Sequence, residues 1–233
     1  MKLLEPFRLL TRFEWILWIA SLTAVMLSFI LSGSGDVLNL IASLLGATAL
    51  IFVSKGHVLG QVLTVVFAVF YGIISYHFTY YGEMITYLGM TGPMAVMAII
   101  SWLRHPYKDS SEVEVSTVSK AQLIIMTISA LLVTAAFYFI LKAFNNANLI
   151  WSTVSVTTSF IASYLTFLRS PFYGLGYAVN DVILIILWVS ASMQDTSYIP
   201  MVACFVIFFV NDIYGFYNWQ RIKRRQERQD TVS

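Results

Sequence analysis

Two acid–amide pairs, Asn180-Asp181 and Asn211-Asp212, place carboxylates deep inside apolar stretches of the chain. A charge at the centre of a bilayer costs about 2.5–3.5 kcal/mol on insertion scales, so such residues face a bundle interior or a cavity. Tyr177, Asp181 and Trp188 recur at helical spacing and share one face. Asn211, Tyr214 and Asn218 share a face of the last apolar stretch, and Asp212, Gly215 and Trp219 share the next. Gln61, Tyr71 and Tyr87, from earlier in the chain, are candidate partners. No Lys or Arg falls in the interior of any apolar stretch, Lys142 lying at the end of its own. An aromatic face attracts a cation, and a carboxylate does so more strongly. Asn and Gln offer donor and acceptor to a carboxamide or a ribose diol. A phosphate would find no Arg or Lys at depth. The chemistry suits a solute that is neutral or cationic, partly flat and hydroxylated. The same residue types also serve as hydrogen-bond glue between membrane helices, and both readings stay open for each pair.

The elements that must position these groups follow from composition. Of 233 residues, 58% are apolar and 11% charged, and mean hydropathy is +0.76. A soluble domain carries roughly 25% charged residues, so lipid must be the solvent for much of this chain. A span needs about 20 mainly apolar residues. Eight such stretches occur, at 15–32, 36–53, 57–78, 84–103, 121–144, 149–168, 171–193 and 198–219. They make an all-α integral membrane protein of one domain, residues 1–233. Asp181 then lies about ten residues, or roughly 15 Å, inside its span, near the midplane. Asp212 falls nearer the cytoplasmic side.

Charge sets the orientation. With both termini cytoplasmic, all of the 14 Lys and Arg residues except Lys142 fall on the inside, from Lys2 to the Arg221–Arg228 cluster. That is what the positive-inside rule requires. The basic cluster reads as this orientation signal and not as a nucleic-acid patch.

The stretches divide into a first triplet at about 36–103, a polar linker with helix five at about 104–144, and a second triplet at about 149–219. A basic tail, 220–233, follows. Lys55-Gly56-His57-Val58-Leu59-Gly60 is echoed by Arg169-Ser170-Pro171-Phe172-Tyr173-Gly174, and Trp102 by Trp219. Parallel repeats about an axis along the membrane normal are a recognised transporter plan. Gly89, Gly92 and Pro93 predict a kink in helix four. The linker His105–Lys120 reads as solvated. Trp15, Trp18 and Trp102 read as interfacial anchors, and Glu14, Glu83, His57 and His77 as wetted residues at helix ends. Cys204 has no partner for an internal disulfide. No HExxH, Walker A loop or paired-histidine spacing is present, so neither an enzyme nor a metal or cofactor site is expected.

The stretch Phe172-Tyr173-Gly174-Leu175-Gly176-Tyr177-Ala178-Val179-Asn180-Asp181, continuing to Trp188, resembles the second-repeat core of PnuC-type vitamin transporters. Asn211-Asp212-Ile213-Tyr214-Gly215-Phe216-Tyr217-Asn218-Trp219 is similar to that family's close before a basic tail. Tyr81 to Tyr87, Gly60-Gln61-Val62 and Trp151-Ser152 match less distinctively. The resemblance implies bacterial nicotinamide riboside uptake by facilitated diffusion, with phosphorylation in the cytoplasm. It also implies a three-plus-one-plus-three, SWEET-like core and a homotrimer in the plasma membrane. Relatives carry thiamine, riboflavin or deoxynucleosides, and Asp181 after Asn180 and Tyr87 on helix four depart from the family's pattern. Gln61, Tyr87, Asn180, Asp181, Trp188, Asn211 and Tyr214 are the expected substrate-binding residues.

Overall fold

The computed structural model describes residues 5–32, 37–77, 81–108, 110–146, 148–193 and 198–232. Lys2 and the side chain of His77 lie outside the described residues. After a helical turn, Glu5–Arg8, the long helices are α1 (Arg12–Ser32), α2 (Val37–Ser54), α3 (Val58–His77) and α4 (Tyr81–Arg104). Then come α5 (Lys120–Ala143), α6 (Leu149–Phe167), α7 (Tyr173–Ser192) and α8 (Ile199–Val232). Among the described residues, seven helices are long and apolar enough to cross a membrane. The remaining long helix, α6, has 19 residues and is rich in Ser and Thr. Its hydroxyls turn inward and many are satisfied within the helix, as in Thr153 to the Leu149 carbonyl at 2.8 Å and Thr166 to that of Ala162 at 2.9 Å.

Local chemistry sets several helix ends. Thr11 and Glu14 cap α1 reciprocally: the Thr11 N–H donates to Glu14 at 2.6 Å, and the Glu14 N–H to the Thr11 hydroxyl at 3.3 Å. Ser119 and Gln122 do the same for α5. Gly56 and Arg169 end α2 and α6 in the left-handed region, at φ 64° and 59°, a conformation common just past a helix end. The echo noted in the sequence therefore aligns Gly56, not Lys55, with Arg169.

Helix α4 carries the expected irregularity as a π-helical segment, Tyr87–Thr91, followed by Gly92 and Pro93. Proline has no N–H to donate one turn back, and the Gly92 N–H reaches instead to the Tyr87 carbonyl.

Helices α2, α3 and α4 pack in sequence, as do α6, α7 and α8. The two groups join where α8 meets α2 and where α4 meets α6. Helix α1 lies against α2 and α8, and α5 against α6. Without a hydrophobic drive between helices in lipid, close backbone packing on small residues must hold such a bundle. A Cβ at Gly174 would lie 2.5 Å from the Asp212 carbonyl oxygen and 2.6 Å from the Phe216 nitrogen, so α7 and α8 approach there as only glycine allows.

The hydrogen bonds between the groups are reciprocal. Trp102 at the end of α4 donates its indole N–H to the Thr166 carbonyl at 3.0 Å, and Trp219 on α8 donates to that of Val53 at 2.9 Å. Beside them, Ser101 donates to the Phe167 carbonyl at 2.9 Å and Asn218 to that of Ser54 at 2.8 Å. The two indoles meet at 5.4 Å between centroids. Trp102 is therefore a core residue and not an interfacial anchor, because both its ring and its N–H are occupied inside the bundle. Trp219 is likewise buried.

The linker is ordered and not simply solvated. Its Val113 N–H donates to the Gly56 carbonyl at 2.9 Å and its Ser116 N–H to the Arg169 carbonyl at 3.0 Å, one to each group of helices. Isolated bridges pair His57 with Glu112 and Pro106 with Val113. The tail continues α8 as helix, and Gln226 turns back to the linker, bonding Glu112, Val113 and Val115. Arg225 pairs with Glu112, and Arg169 with Glu114 at 3.5 Å.

Candidate functional site

A cavity of about 80 Å³ lies where six helices converge. It is lined from α2 by Gly46, Leu50 and Val53, and from α3 by Gln61, Thr64 and Phe67. Tyr87 and Thr91 come from α4, Ser159 from α6, Asn180 and Asp181 from α7, and Phe205, Phe208 and Asp212 from α8. Neither α1 nor α5 contributes a lining residue, nor does any Lys, Arg or His.

Asp181 and Asp212 are each 3% exposed and line the cavity from the adjacent helices α7 and α8. The close approach at Gly174 sits two turns before Asp181. Asn180 gives its carbonyl to the Thr158 hydroxyl at 2.8 Å and to that of Ser155 at 3.5 Å. Its amide N–H groups thus remain for the cavity. Two buried polar atoms at this cavity have no partner among the described residues: Thr91 Oγ1 and Asp181 Oδ2. A buried polar atom without a partner costs about 1–3 kcal/mol. A hydroxylated solute or water in the cavity would satisfy both.

Opposite the acids stand the rings. Tyr87 packs on Tyr71 at 4.3 Å and edge-on to Phe67 at 5.8 Å, and Phe67 meets Phe208 at 6.1 Å. Both acids thus come from α7 and α8, together with Phe205 and Phe208, while α3 and α4 supply Phe67 and Tyr87 with the neutral polar groups of Gln61, Thr64 and Thr91.

Of the residues expected from sequence, Gln61, Tyr87, Asn180 and Asp181 come together here. Trp188 stands one layer back, stacked on Phe205 at 6.5 Å and 12°. Asn211 and Tyr214 turn toward α1. The Asn211 amide donates to Ser21 at 2.9 Å, and the Tyr214 hydroxyl donates to Glu14 at 2.7 Å. Glu14, expected to be exposed, is 1% exposed. Lys55 at 3.3 Å, Tyr214 and the Thr11 N–H account for its charge. This cluster fastens α1 to the bundle away from the cavity.

Sequence reasoning passed over Phe67, Phe205, Phe208, Thr64, Thr91 and Ser159. The phenylalanines carry no signal that separates a cavity face from a lipid face. The Thr and Ser residues are ordinary in membrane helices, although Thr91 follows the glycine pair's first member within the π segment.

Toward the basic end, Trp102, Trp219, Tyr173, Val53 and Val113 form a buried cluster below the cavity, capped by the linker. Burial there pushes the His57 imidazole below its ordinary range, and its Nδ1 accepts the Leu59 N–H at 3.1 Å, in place of a capping side chain at the start of α3. Toward the other end, Trp188, Tyr198 and Met201 close the bundle.

Residues 36–221 match the family described as nicotinamide mononucleotide transporter. The chain is 25% identical over 227 residues to the nicotinamide riboside transporter PnuC of Neisseria mucosa, covering 94% of this chain and 85% of that one. Its fold is similar to a crystal structure of the vitamin B3 transporter PnuC. The TM-score is 0.79 at 22% identity, with 93% of this chain and 94% of the other covered.

Proposed function

As a member of the nicotinamide mononucleotide transporter family, this chain is a membrane carrier and not an enzyme, and we propose that its cargo is nicotinamide riboside. The family's description and the Neisseria relative's name differ by one phosphate. The observation that decides between them is the cavity lining: two carboxyls, amides and rings, with no basic residue. A phosphate would meet like charge there and lack the Arg or Lys it requires. A pyridinium ribose meets opposite charge, aromatic faces and amide partners.

In this reading Tyr87 and Phe67 stack on the pyridinium, and Asn180 and Gln61 hold the carboxamide or ribose hydroxyls. Asp181 favours the positive charge. Trp188 supports Phe205 from behind, while Asn211 and Tyr214 hold the frame to α1. A cavity of about 80 Å³ is smaller than the 300 Å³ or more usual for ligand sites. Cargo therefore requires the helices to part, and an alternating rocking of the two helix groups supplies that motion.

The three-plus-one-plus-three arrangement is supported by the reciprocal Trp102 and Trp219 hydrogen bonds and by a cavity built from α2–α4 and α6–α8 alone. Helix α6 would be the eighth crossing, its hydroxyls being turned inward. The placement of Lys55, Arg169 and the α8 tail at one end supports cytoplasmic termini in a bacterial plasma membrane. A homotrimer follows from the family resemblance. Transport is facilitated diffusion, made one-way by phosphorylation inside the cell. Purified carrier in liposomes should take up radiolabelled nicotinamide riboside saturably with no ion gradient imposed. Uptake no faster than in protein-free liposomes would overturn the assignment.

A further inference from the structure

Asp181 and Asp212, both 3% exposed, line one small cavity from adjacent helices, and none of the described lining residues is basic. Ionised carboxylates offer only acceptors, so one can hydrogen-bond the other when a proton is held between them. Two like charges confined to so small an uncompensated cavity do not both persist. Titratable groups stand around the pair on several helices. On α7 they are Tyr173 and Tyr177; on α8, Cys204; on α4, Tyr87 with Glu83 a turn before it; on α3, Tyr71 against Tyr87. Helices α2 and α6 present Ser43 and Ser159, which do not titrate. None of these groups is positive. The cavity does offer uncommitted donors, the Thr91 hydroxyl and the Asn180 amide, near the uncommitted acceptor Asp181 Oδ2. Such donors suit a single negative charge shared over two carboxyls.

Resting on the cargo assignment above, we propose that Asp181 and Asp212 act as one proton-sharing unit of net charge −1, which selects a monocation and is neutralised by the cargo itself. One proton stays between the two oxygens throughout. The cation arrives, no proton leaves, and no accompanying ion is needed. Asp212 is then a specificity-determining residue equal to Asp181. Either acid alone can carry the charge when the other is an amide that donates the same hydrogen bond.

The test compares nicotinamide riboside with its uncharged 1,4-dihydro form by titration calorimetry on purified carrier. Asp181→Asn and Asp212→Asn singly should each keep cation affinity within about tenfold. The double variant should lose at least about 100-fold for the cation and leave the dihydro form unchanged, which also shows that the protein is folded. Titrations in buffers of different ionisation enthalpy should count no proton exchanged near neutral pH. Cation affinity should fall at acid pH, when a second proton neutralises the unit. Three results would overturn the proposal: release of one proton per cation bound, one single variant as damaging as the double, or equal loss of both ligands in the double. If neither ligand binds the unaltered carrier, the cargo assignment itself fails instead.

Discussion

The two helix groups that enclose the cavity have similar frames but place acids on one side only. At the basic end they are interchangeable: each ends its first helix in the left-handed region, and each lends a tryptophan to the other's carbonyl. At the cavity they diverge. Helices α3 and α4 bring rings and neutral polar groups, Phe67 and Tyr87 with Gln61, Thr64 and Thr91, whereas both carboxyls, Asp181 and Asp212, come from α7 and α8. The rocking proposed above calls for matched ends, and the cargo proposed above calls for acids on one side of the site. The likeness between the groups lies at the basic end, and their difference lies at the cavity.

The strongest way to break this division is to force α7 and α8 apart. Gly174→Leu pushes side-chain atoms into the Asp212 and Phe216 backbone, where neither neighbour can yield. We expect a loss of about 3 kcal/mol or more, or no folded carrier. Gly89→Ala on the exposed side of α4 is the control, because its nearest neighbour is Ile85 at 3.8 Å, and it should be nearly neutral. Thermal unfolding in detergent separates the two.

The matched basic ends make a second, smaller prediction. Trp102→Phe and Trp219→Phe each remove one indole hydrogen bond from a carbonyl that keeps a backbone donor, the Arg169 and Gly56 N–H respectively, costing about 0.5–1.5 kcal/mol. The two losses should be similar in melting experiments. A large inequality would mean that the two ends do not share one mechanical role. Comparable in size is the effect of the Tyr87 ring on affinity. Tyr87→Ala should weaken riboside binding about tenfold, the scale of one desolvated cation–π contact. Tyr87→Phe keeps the ring and should stay within about threefold. Calorimetry decides between a ring that stacks and a hydroxyl that bonds.

Much of this was legible in the sequence. Hydropathy located the long helices, and Gly89, Gly92 and Pro93 announced the break in α4 that became a π segment. Depth and helical spacing singled out Asp181 and Asn180, because lipid makes a buried acid conspicuous. What remained hidden depended on neighbours. Asn211 and Tyr214 share a face, but a face does not say whether it looks at a cavity or at α1. Trp102 sits near a span end, as an interfacial anchor would, and only the contact with Trp219 and Thr166 reveals it as core. Glu14 looked exposed because the residues that account for its charge, Lys55 and Tyr214, are distant in the chain. Phe67 was invisible because lipid and cavity both accept phenylalanine.

The measurement closest to the centre of this account is a side-by-side calorimetric titration of the purified carrier with nicotinamide riboside and nicotinamide mononucleotide. A cavity walled by two acids and no base should bind the riboside and reject its phosphorylated form by at least about 100-fold. Equal affinity for the two would contradict it, since the added phosphate would then have found a counter-charge that the lining residues do not provide.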